Sequence, residues 1–426
     1  MIDIKRLRQD PEAVRAALRR RLDPGVDAMI DRMLELDRRR REALVQVETL
    51  KASRNAASEE VARRKRAGEP ADDLLARLKT SSDQVKQLDA DVREIDQQLD
   101  ALVLTVPNPP HASVPDGDGT ANPVVRTWGE PQKYAFQPKP HWEIGEKLGL
   151  FDLARGAKLT GSGFPLFTGA GARLARALIQ FMLDLHTREH GYTEVSPPFL
   201  VNTDTMTGTG QLPKFADDLY SVPGDDLWLI PTAEVPLTNV YRDEILERDR
   251  LPVTFVAYTP CFRREAGAAG KDTRGLLRVH QFDKVELVRL VLPERSDEEH
   301  ALLTGHAETV LQRLGLPYRV VALAAGDTGF SAARTFDLEV WAAGVGNWLE
   351  ASSSSTFTDF QARRLNLRYR PAQGARPEFV HTLNASGVAL PRTIAALLEH
   401  YQEPDGSVRI PDALVPYFGA NRLPVR

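Results

Sequence analysis

The stretch TPCFRREAGAAGKDTRGLLRVHQFDKVELVRLV (residues 259–291) decides how the larger part of the chain is interpreted. Its two ends have the composition and alternation of strands, and its middle holds glycines beside charged residues. The stretch therefore predicts a strand, a loop and a second strand. With Lys271 and Arg274 between its glycines, the loop is flexible and basic, which suits closure over a polyanion.

Two charged side chains at the end of the first strand could share one cleft. Arg263 and Glu265 are two residues apart, and the side chains of a strand return to the same face every two residues. The second predicted strand contains Phe282 and Glu286, which are further candidates for this cleft. An Arg-x-Glu pattern is also typical of an ion pair between neighbouring strands, so the pattern alone leaves both roles open.

Two later stretches contain candidate metal-binding and phosphate-binding residues. In WLEASSSST (residues 348–356), Glu350 stands close to several hydroxyl groups, and hard oxygen ligands of this kind suit Mg²⁺. In HTLNASGVALPRTIAALLEHYQ (residues 381–402), Arg392 lies near the predicted N-terminus of a helix, a favourable place for phosphate. Each also has a plain alternative: a polar strand end for the first and a surface arginine for the second.

The N-terminal quarter has a different pattern. Apolar positions spaced alternately by three and four residues form two heptad seams, separated by Gly68 and Pro70. Two such helices joined by a short turn should fold back as an antiparallel hairpin that projects as an arm. The seams contain Met33, Leu36, Arg40, Ala43, Val47, Leu50, Arg54, Ala57 and Val61, and then Leu74, Leu78, Ser81, Val85, Leu88, Val92, Ile95, Leu99 and Leu102.

Charge is divided unequally between the two predicted helices. Residues 32–66 hold 11 Lys/Arg and 6 Asp/Glu, whereas residues 69–100 hold 4 and 9. Opposite charges could simply link the two helices across the hairpin. The clusters at residues 38–41 and 63–66 exceed what such pairing needs, and they could instead hold phosphates.

The segment VPNPPHASVPDGDGTANP (residues 106–123) is rich in Pro, Gly and Asp, as linkers are. We therefore predict an N-terminal coiled-coil domain over residues 1–105, a linker over 106–123 and a larger α+β domain over 124–426. In this larger domain, helical patterns such as residues 170–190 are mixed with strand-like runs at 253–258, 279–290 and 318–323.

Bulk composition excludes several classes of protein. The net charge is -4, so the average field of the chain would not hold it to a polyanion, and any nucleic-acid contact must be local. Cys261 is the only cysteine, which excludes a disulfide framework and a cysteine-rich zinc site. The N-terminus lacks the apolar core of a signal peptide, and we expect a cytoplasmic protein.

Taken together, the three stretches resemble motifs 2 and 3 of the class II aminoacyl-tRNA synthetases. The whole chain is similar to the bacterial seryl-tRNA synthetases, including its N-terminal hairpin. Four segments carry the likeness in order and spacing: TGTGQLPKF (207–215), PTAEVPLTN (231–239), residues 261–288, and TDFQARR (358–364).

The resemblance implies a fold and an activity. The fold is α+β, with an antiparallel two-helix coiled-coil arm and a class II catalytic domain built on an antiparallel sheet flanked by helices. The activity is activation of L-serine with ATP and Mg²⁺, followed by transfer to tRNA(Ser) and, where present, tRNA(Sec). A homodimer is implied through motif 1, which resembles residues 171–198 and ends at Pro198.

The resemblance also implies roles for individual residues, with Arg263, Glu265 and Arg392 as the catalytic residues. In the nucleotide site, Arg263 clasps the α-phosphate, Glu265 reads the adenine amino group, and Phe282 and Arg392 cover the two faces of the ring. Glu286 and Ser386 bind the serine hydroxyl, and Thr232 and Glu234 bind its ammonium group. The implied serine-binding residues are Thr232, Ala233, Glu234, Arg263, Glu286, Asn384 and Ser386. The implied ATP-binding residues are Arg263, Arg264, Glu265, Arg278, Val279, Phe282, Glu350, Ala351, Ser352, Ser353 and Arg392, of which Glu350 and Ser353 bind the metal. The implied tRNA-binding residues are Arg38, Arg39, Arg41, Arg54, Arg63, Arg64, Lys271 and Arg274.

Three alternatives exist to this interpretation of the sequence. A relative that loads an amino acid onto a carrier protein should lack the arm, and a catalytically inactive relative should lack motif residues that are present here. The sequence does not distinguish a housekeeping enzyme from a duplicate that confers antibiotic resistance. It departs from the family pattern at Ser354, Thr356 and Thr328.

Overall fold

The computed structural model describes residues 1–266 and 274–423. The helices are α1 Ile4–Gln9, α2 Pro11–Arg19, α3 Val26–Ala67, α4 Asp72–Val103, α5 His141–Leu148, α6 Leu153–Thr160, α7 Gly169–Arg188, α8 Thr203–Thr209, α9 Glu234–Thr238, α10 Ser296–Arg313, α11 Phe360–Leu365, α12 Leu390–His400 and α13 Val415–Phe418. The strands are β1 Val124–Trp128, β2 Phe151–Asp152, β3 Leu166–Phe167, β4 Thr193–Glu194, β5 Leu200–Val201, β6 Trp228–Leu229, β7 Ile245–Glu247, β8 Val253–Phe262, β9 Gln281–Val291, β10 Tyr318–Ala322, β11 Arg334–Ala342, β12 Asn347–Thr358, β13 Arg368–Arg370, β14 Glu378–Phe379, β15 His381–Ala389, β16 Val408–Arg409 and β17 Arg422–Leu423.

The chain divides into two compact units. One contains Met1–Arg19 and Asp23–Pro107, and the other contains Arg20–Leu22 and Asn108–Arg426. In the second unit the start of the proline-rich segment is held by hydrogen bonds: Asn108 Nδ2 donates to the carbonyls of Ser331 (2.9 Å) and Phe357 (2.8 Å). The domain bounds at residues 105 and 123 stay a prediction.

The first unit contains the predicted helical hairpin. Every residue of the two heptad seams is buried or half-buried, whereas most positions between them are exposed, as expected of helices in contact along a 3.5-residue repeat. Gly68 ends α3 with φ of 71°, a left-handed conformation that glycine adopts without strain, and four residues later α4 begins. The N-terminal helices α1 and α2 pack against the base of the hairpin through Leu7, Val14 and Leu18.

Charged side chains link the two long helices at three places along the hairpin. Arg40 Nε lies 2.5 Å from Asp96 Oδ1, Lys51 Nζ lies 3.4 Å from Asp89 Oδ1, and Arg64 Nη1 lies 3.2 Å from Asp73 Oδ1. The first of these pairs explains how an arginine, Arg40, can occupy a seam position. The stabilising contribution of such exposed pairs is small, about 0.2–1 kcal/mol each.

An eight-stranded sheet forms the centre of the second unit, in the order β1-β10-β11-β12-β15-β9-β8-β4. All neighbouring strands are antiparallel except β4 and β8. Helices α7, α10 and α12 contribute Leu178, Leu311 and Leu398 to the core that covers this sheet. The predicted α+β class and the predicted antiparallel sheet with flanking helices are confirmed.

Several local predictions also agree with the structure. The helix predicted over residues 170–190 is α7, and the three strand-like runs correspond to β8, β9 and β10. In the described part of the chain, no helix is long and apolar enough to cross a membrane.

Candidate active site

Four central strands, β12, β15, β9 and β8, form the floor of a cleft with two connected parts. The larger cavity has a volume of about 600 Å³ and the smaller about 270 Å³. They are one continuous site because six residues line both: Arg263, Glu265, Arg278, Lys284, Glu350 and Ser386.

Arg263 and Glu265 both enter this cleft, but the alternation of a strand is not the reason, which corrects the sequence interpretation. Strand β8 ends at Phe262, so both residues follow the strand. The backbone there is held by Arg263 N, which donates to His280 O (2.8 Å), and by Arg264 N, which donates to Asp218 O (2.9 Å). Glu265 has φ of 51°, and the resulting turn directs its side chain into the cleft beside Arg263.

Three arginines border the smaller cavity. The guanidinium carbon of Arg263 lies 5.1 Å from the ring centroid of Phe282, and Arg278 forms an ion pair with Glu265. Arg392 lies in the first turn of α12, as predicted, and its Nη1 donates to the carbonyl of Glu350 at 2.8 Å. Cationic and aromatic groups of this kind suit a nucleotide with its phosphates.

Two buried carboxylates linked by one amide lie at the larger cavity: Glu234 lines it, and Glu286 lies beneath its surface. Asn384 Nδ2 donates to Glu286 Oε1 (2.8 Å) and to Glu234 Oε2 (3.0 Å), while Gln361 Nε2 donates to Glu234 Oε1 (2.7 Å). Burial, and then the charge of Glu286, raise the pKa of Glu234 to about 7. A small ammonium ion would relieve this repulsion between buried carboxylates.

Lys284 is a member of this site that the sequence interpretation missed. Its Nζ lies 2.5 Å from Glu286 Oε2, and both side chains are buried. Lys284 lines the cleft, whereas Glu286 lies beneath it, between Lys284 and Asn384. The spacing Lys-x-Glu on one strand was a signal that could have identified it, because residues two apart share a face.

Ser386 and Thr232 line the cleft, as do Glu234, Arg263 and Asn384, whereas Glu286 and Ala233 do not line it. Ser386 is the register partner of Glu286 on the neighbouring strand, and a β-bulge follows it. Thr232 Oγ1 accepts a hydrogen bond from Glu234 N at 3.2 Å. Ala233 is fully buried in the apolar core beside α9 instead.

A group of oxygen atoms lies on β11 and β12, where Mg²⁺ was predicted. Ser353 Oγ donates to Asp337 Oδ1 (2.5 Å) and lies 3.1 Å from Glu350 Oε1. Burial, and then the charge of Glu350, raise the pKa of Asp337 well above its usual range. Asp337 was not identified from the sequence, because nothing in a sequence gives the register that places it opposite Ser353.

These donors fit Mg²⁺ only in part. Within residues 1–266 and 274–423, no group of three or more His, Cys, Asp or Glu side chains could hold a metal ion. Two carboxylates and a hydroxyl are nevertheless the hard oxygen ligands that Mg²⁺ takes when phosphates and water complete its coordination.

Some predicted ATP-binding residues lie apart from the cleft surface. Ser352 is buried and its hydroxyl donates to Ser386 O at 2.6 Å, and the Arg264 side chain does not line either cavity. Ala351 and Val279 do line the smaller one. Arg274 is exposed, and Lys271 lies outside the described residues.

Two family models match the chain. Residues 218–401 match the class II core domain of tRNA synthetases (G, H, P, S and T), and residues 1–110 match the N-terminal domain of seryl-tRNA synthetases. The first match covers the cleft residues from β8 to α12, and the second covers the helical hairpin.

Full-length relatives and solved structures agree with these models. The chain is 57% identical to serine–tRNA ligase of Carboxydothermus hydrogenoformans, over 99% of each chain, and 57% identical to that of Gemmatimonas aurantiaca, over 98% and 99%. The crystal structure of seryl-tRNA synthetase from Pyrococcus horikoshii complexed with ATP is 39% identical, with a TM-score of 0.96 over 100% of both chains. A serine–tRNA ligase from Naegleria fowleri in complex with AMP is 30% identical, with a TM-score of 0.89 over 100% of this chain and 99% of that one.

Proposed function

Because the chain belongs to the seryl-tRNA synthetase family, we propose which of its residues carry out the two steps of that family's reaction. The chain is a ligase that activates serine with ATP and charges tRNA(Ser). The observation that carries the proposal is that Arg263 lines both parts of the cleft, of which one is also lined by Glu234 and the other by Arg392.

The smaller cavity is the proposed nucleotide site. Adenine lies between Phe282 and Arg392, and the Glu265 carboxylate and the Val279 backbone meet its polar edge. Arg263 binds the α-phosphate and Arg278 the γ-phosphate. Arg278 and Glu265 form an ion pair with each other, which holds both side chains at the cavity.

The carboxylate pocket is the proposed serine site. Glu234, with Thr232, binds the ammonium group, because a buried carboxylate beside a second one is stabilised by a cation. Ser386 and Glu286 bind the serine hydroxyl, and Asn384 links the two carboxylates. A site that hydrogen-bonds a hydroxyl rejects an analogue without one by about 10⁴-fold, since its own polar groups would be left unpaired.

We propose that Glu350 and Ser353 bind Mg²⁺, and we add Asp337 to these ligands. The Pyrococcus relative was crystallised with ATP, which supports ATP as a ligand of this chain. A cation held by these residues would neutralise phosphate charge and would stabilise the ionised form of Asp337. Its ligands beyond these residues would come from phosphate and water.

Chemistry in the first step then requires little covalent help from the protein. The serine carboxylate attacks the α-phosphorus in line with the departing pyrophosphate. The alignment of the two bound substrates accounts for much of the rate enhancement. Arg263 and Arg392 stabilise the charge that develops on the phosphates. In the second step a hydroxyl of the terminal tRNA adenosine attacks the carbonyl carbon of the seryl adenylate, the bond from this carbon to the phosphate oxygen breaks, and AMP leaves. We assign no general base to this step.

The first unit is the proposed tRNA-binding arm, as the match to the family's N-terminal domain supports. Most of the predicted arginines are paired within their own helix: Arg38 with Glu35 and Glu42, Arg41 with Asp37, and Arg63 and Arg64 with Glu60. Arg39 is exposed and Arg54 half-exposed. Phosphates would compete with these carboxylates for the arginines, so binding would depend strongly on salt.

Three further proposals follow from family membership. The chain forms a homodimer, for which α7 and the sheet-edge strand β4 are the candidate surfaces. tRNA(Sec) is a second acceptor where it is present. The reaction takes place in the cytoplasm, where aminoacyl-tRNA is used.

A complex with a non-hydrolysable seryl-adenylate analogue tests these assignments. We expect the ammonium group within 3.2 Å of Glu234, the linking group on Arg263 and the adenine between Phe282 and Arg392. An analogue bound with its seryl group away from Glu234 and Ser386 would contradict the proposed serine site.

A further inference from the structure

A buried histidine–glutamate pair lies where α5 packs against α12, near the smaller cavity that is the proposed nucleotide site. His141 Nδ1 and Glu399 Oε1 are 2.7 Å apart, and both side chains are fully buried. Glu399 Oε1 also accepts from His141 N (2.8 Å), and its Oε2 accepts from Gly344 N (2.7 Å) and Val345 N (3.0 Å). Four N–H donors therefore surround one carboxylate, which compensates for its removal from water.

The other ring nitrogen of His141 holds the chain where it enters the cleft. Leu276 N donates to His141 Nε2 at 3.0 Å. A ring nitrogen that accepts carries no hydrogen, so the hydrogen of the neutral ring is on Nδ1 and is donated to Glu399. The hydrogen bonds thus run in one direction, from the Leu276 amide through His141 to the Glu399 carboxylate.

The segment held in this way borders the proposed nucleotide site. Leu276 and Leu277 line the smaller cavity with Arg278 and Val279, and the Leu277 carbonyl accepts from Arg392 Nε at 3.2 Å. Gly275 has φ of 62°, and a Cβ added there would lie 2.3 Å from His141 Nε2. The close approach of the backbone to the imidazole therefore requires glycine at this position.

Glu399 also connects His141 to two other segments near the proposed nucleotide site. It lies on α12, two turns after Arg392. The amides of Gly344 and Val345 belong to the turn between β11 and β12, the strands that carry Asp337 and Glu350. The Glu399 carboxylate thus joins α5, α12 and the turn between β11 and β12. The relative placement of these segments affects the shape of the proposed nucleotide site.

We propose that His141 is a positioning residue for ATP: through the Leu276 amide it fixes where the Leu277 carbonyl, Arg278 and Val279 meet the nucleotide. It contacts no substrate itself. The inference rests on the proposed nucleotide site, which it deepens. A pair that served folding alone would have no reason to affect ATP more than serine.

Two substitutions at His141 in the full-length chain separate these roles. In His141→Gln the side-chain oxygen can reach the place of Nε2 and accept from Leu276 N. In His141→Asn the amide can reach the place of Nδ1 and donate to Glu399, but it is too short for Leu276. Both variants remove the ring, and they differ from each other by one methylene group.

The measurement is serine-dependent ATP–pyrophosphate exchange, with KM determined separately for ATP and for serine. We expect His141→Asn to raise the KM for ATP about tenfold, as for the loss of one buried hydrogen bond, with the KM for serine within about twofold of wild type. His141→Gln should recover most of the ATP effect. Equal effects of both variants, or a parallel rise of both KM values, would overturn the inference.

A second variant keeps the test decisive if His141→Asn does not fold. Gly275→Ala leaves His141 intact but displaces the backbone from its Nε2, and it should raise the KM for ATP in the same selective way. An unchanged KM for ATP in Gly275→Ala would also overturn the inference. Absence of exchange in the wild-type protein would instead contradict the proposed function, so the two failures are distinguishable.

Discussion

Lys284 Nζ lies 2.5 Å from Glu286 Oε2, and this buried ion pair forms part of the floor of the cleft. The neighbouring Glu234 carboxylate is joined to Glu286 through Asn384. Lys284 therefore places a positive charge beside two buried carboxylates and balances part of their repulsion. The pair has consequences for both stability and serine binding.

Removal of Lys284 should destabilise the protein. Lys284→Met leaves the Glu286 charge buried without its partner, which costs about 3–5 kcal/mol. The double variant Lys284→Met with Glu286→Gln should recover most of this loss, and thermal denaturation midpoints of the four proteins form a double-mutant cycle. Lys147→Met, at an exposed position of α5, is the control. Independent effects of the two substitutions would show that the pair is not coupled.

Serine binding should weaken as the pH falls below about 7. The pKa of Glu234 is raised to about 7, so below that pH the empty site holds a neutral carboxyl, and the serine ammonium must displace its proton. The KM for serine should therefore rise by up to about tenfold for each pH unit below 7. Glu234→Gln should bind serine weakly at every pH, with this dependence removed. A KM for serine that is constant between pH 5.5 and 8 in the wild type would exclude Glu234 as the ammonium site.

Arg392 should be required for adenylate formation. Arg392→Ala removes a cation that contacts Glu350 and faces the nucleotide site, and we expect exchange to fall by at least about 10²–10³-fold. Arg392→Lys should restore only part of the rate, because a point charge does not replace a planar fork. Arg376→Ala, at an exposed turn between β13 and β14, should exchange normally. Wild-type exchange in Arg392→Ala would remove this residue from the site.

Shortening of the arm should separate the two steps of the reaction. Replacement of residues 45–92 by a short glycine–serine turn removes Arg54, Arg63 and Arg64 but keeps the core formed by Met33, Leu36, Ile95 and Leu99. We expect unchanged exchange and loss of tRNA charging, because tRNA would lose its phosphate contacts. Charging at the wild-type rate would show that the distal arm does not bind tRNA.

The arm could be predicted from the sequence because its repeat is local. A 3.5-residue period is visible along each helix, so the seam from Met33 to Val61 gives the buried face without knowledge of any distant contact. The ion pair of Arg40 with Asp96 agrees with the alternative that opposite charges link the two helices, although the sequence did not identify the partners.

Among the residues of the cleft, the sequence identified only those that belong to a sequence motif. Asp337 and Ser353 meet because β11 and β12 pair in one register, and that register depends on the whole sheet. Glu265 enters the cleft through a turn with positive φ, which strand alternation does not describe. His141 and Glu399 are separated by more than 250 residues, and only the packing of α5 against α12 brings them together.

The most direct test of the central claim is ATP–pyrophosphate exchange by the purified protein with serine, threonine, alanine, glycine and cysteine compared by kcat/KM. If one cleft binds ATP at its arginines and a small hydroxyl side chain at Ser386 and Glu286, serine should exceed alanine by about 10⁴-fold. Exchange with alanine comparable to that with serine, or no exchange with serine, would contradict it.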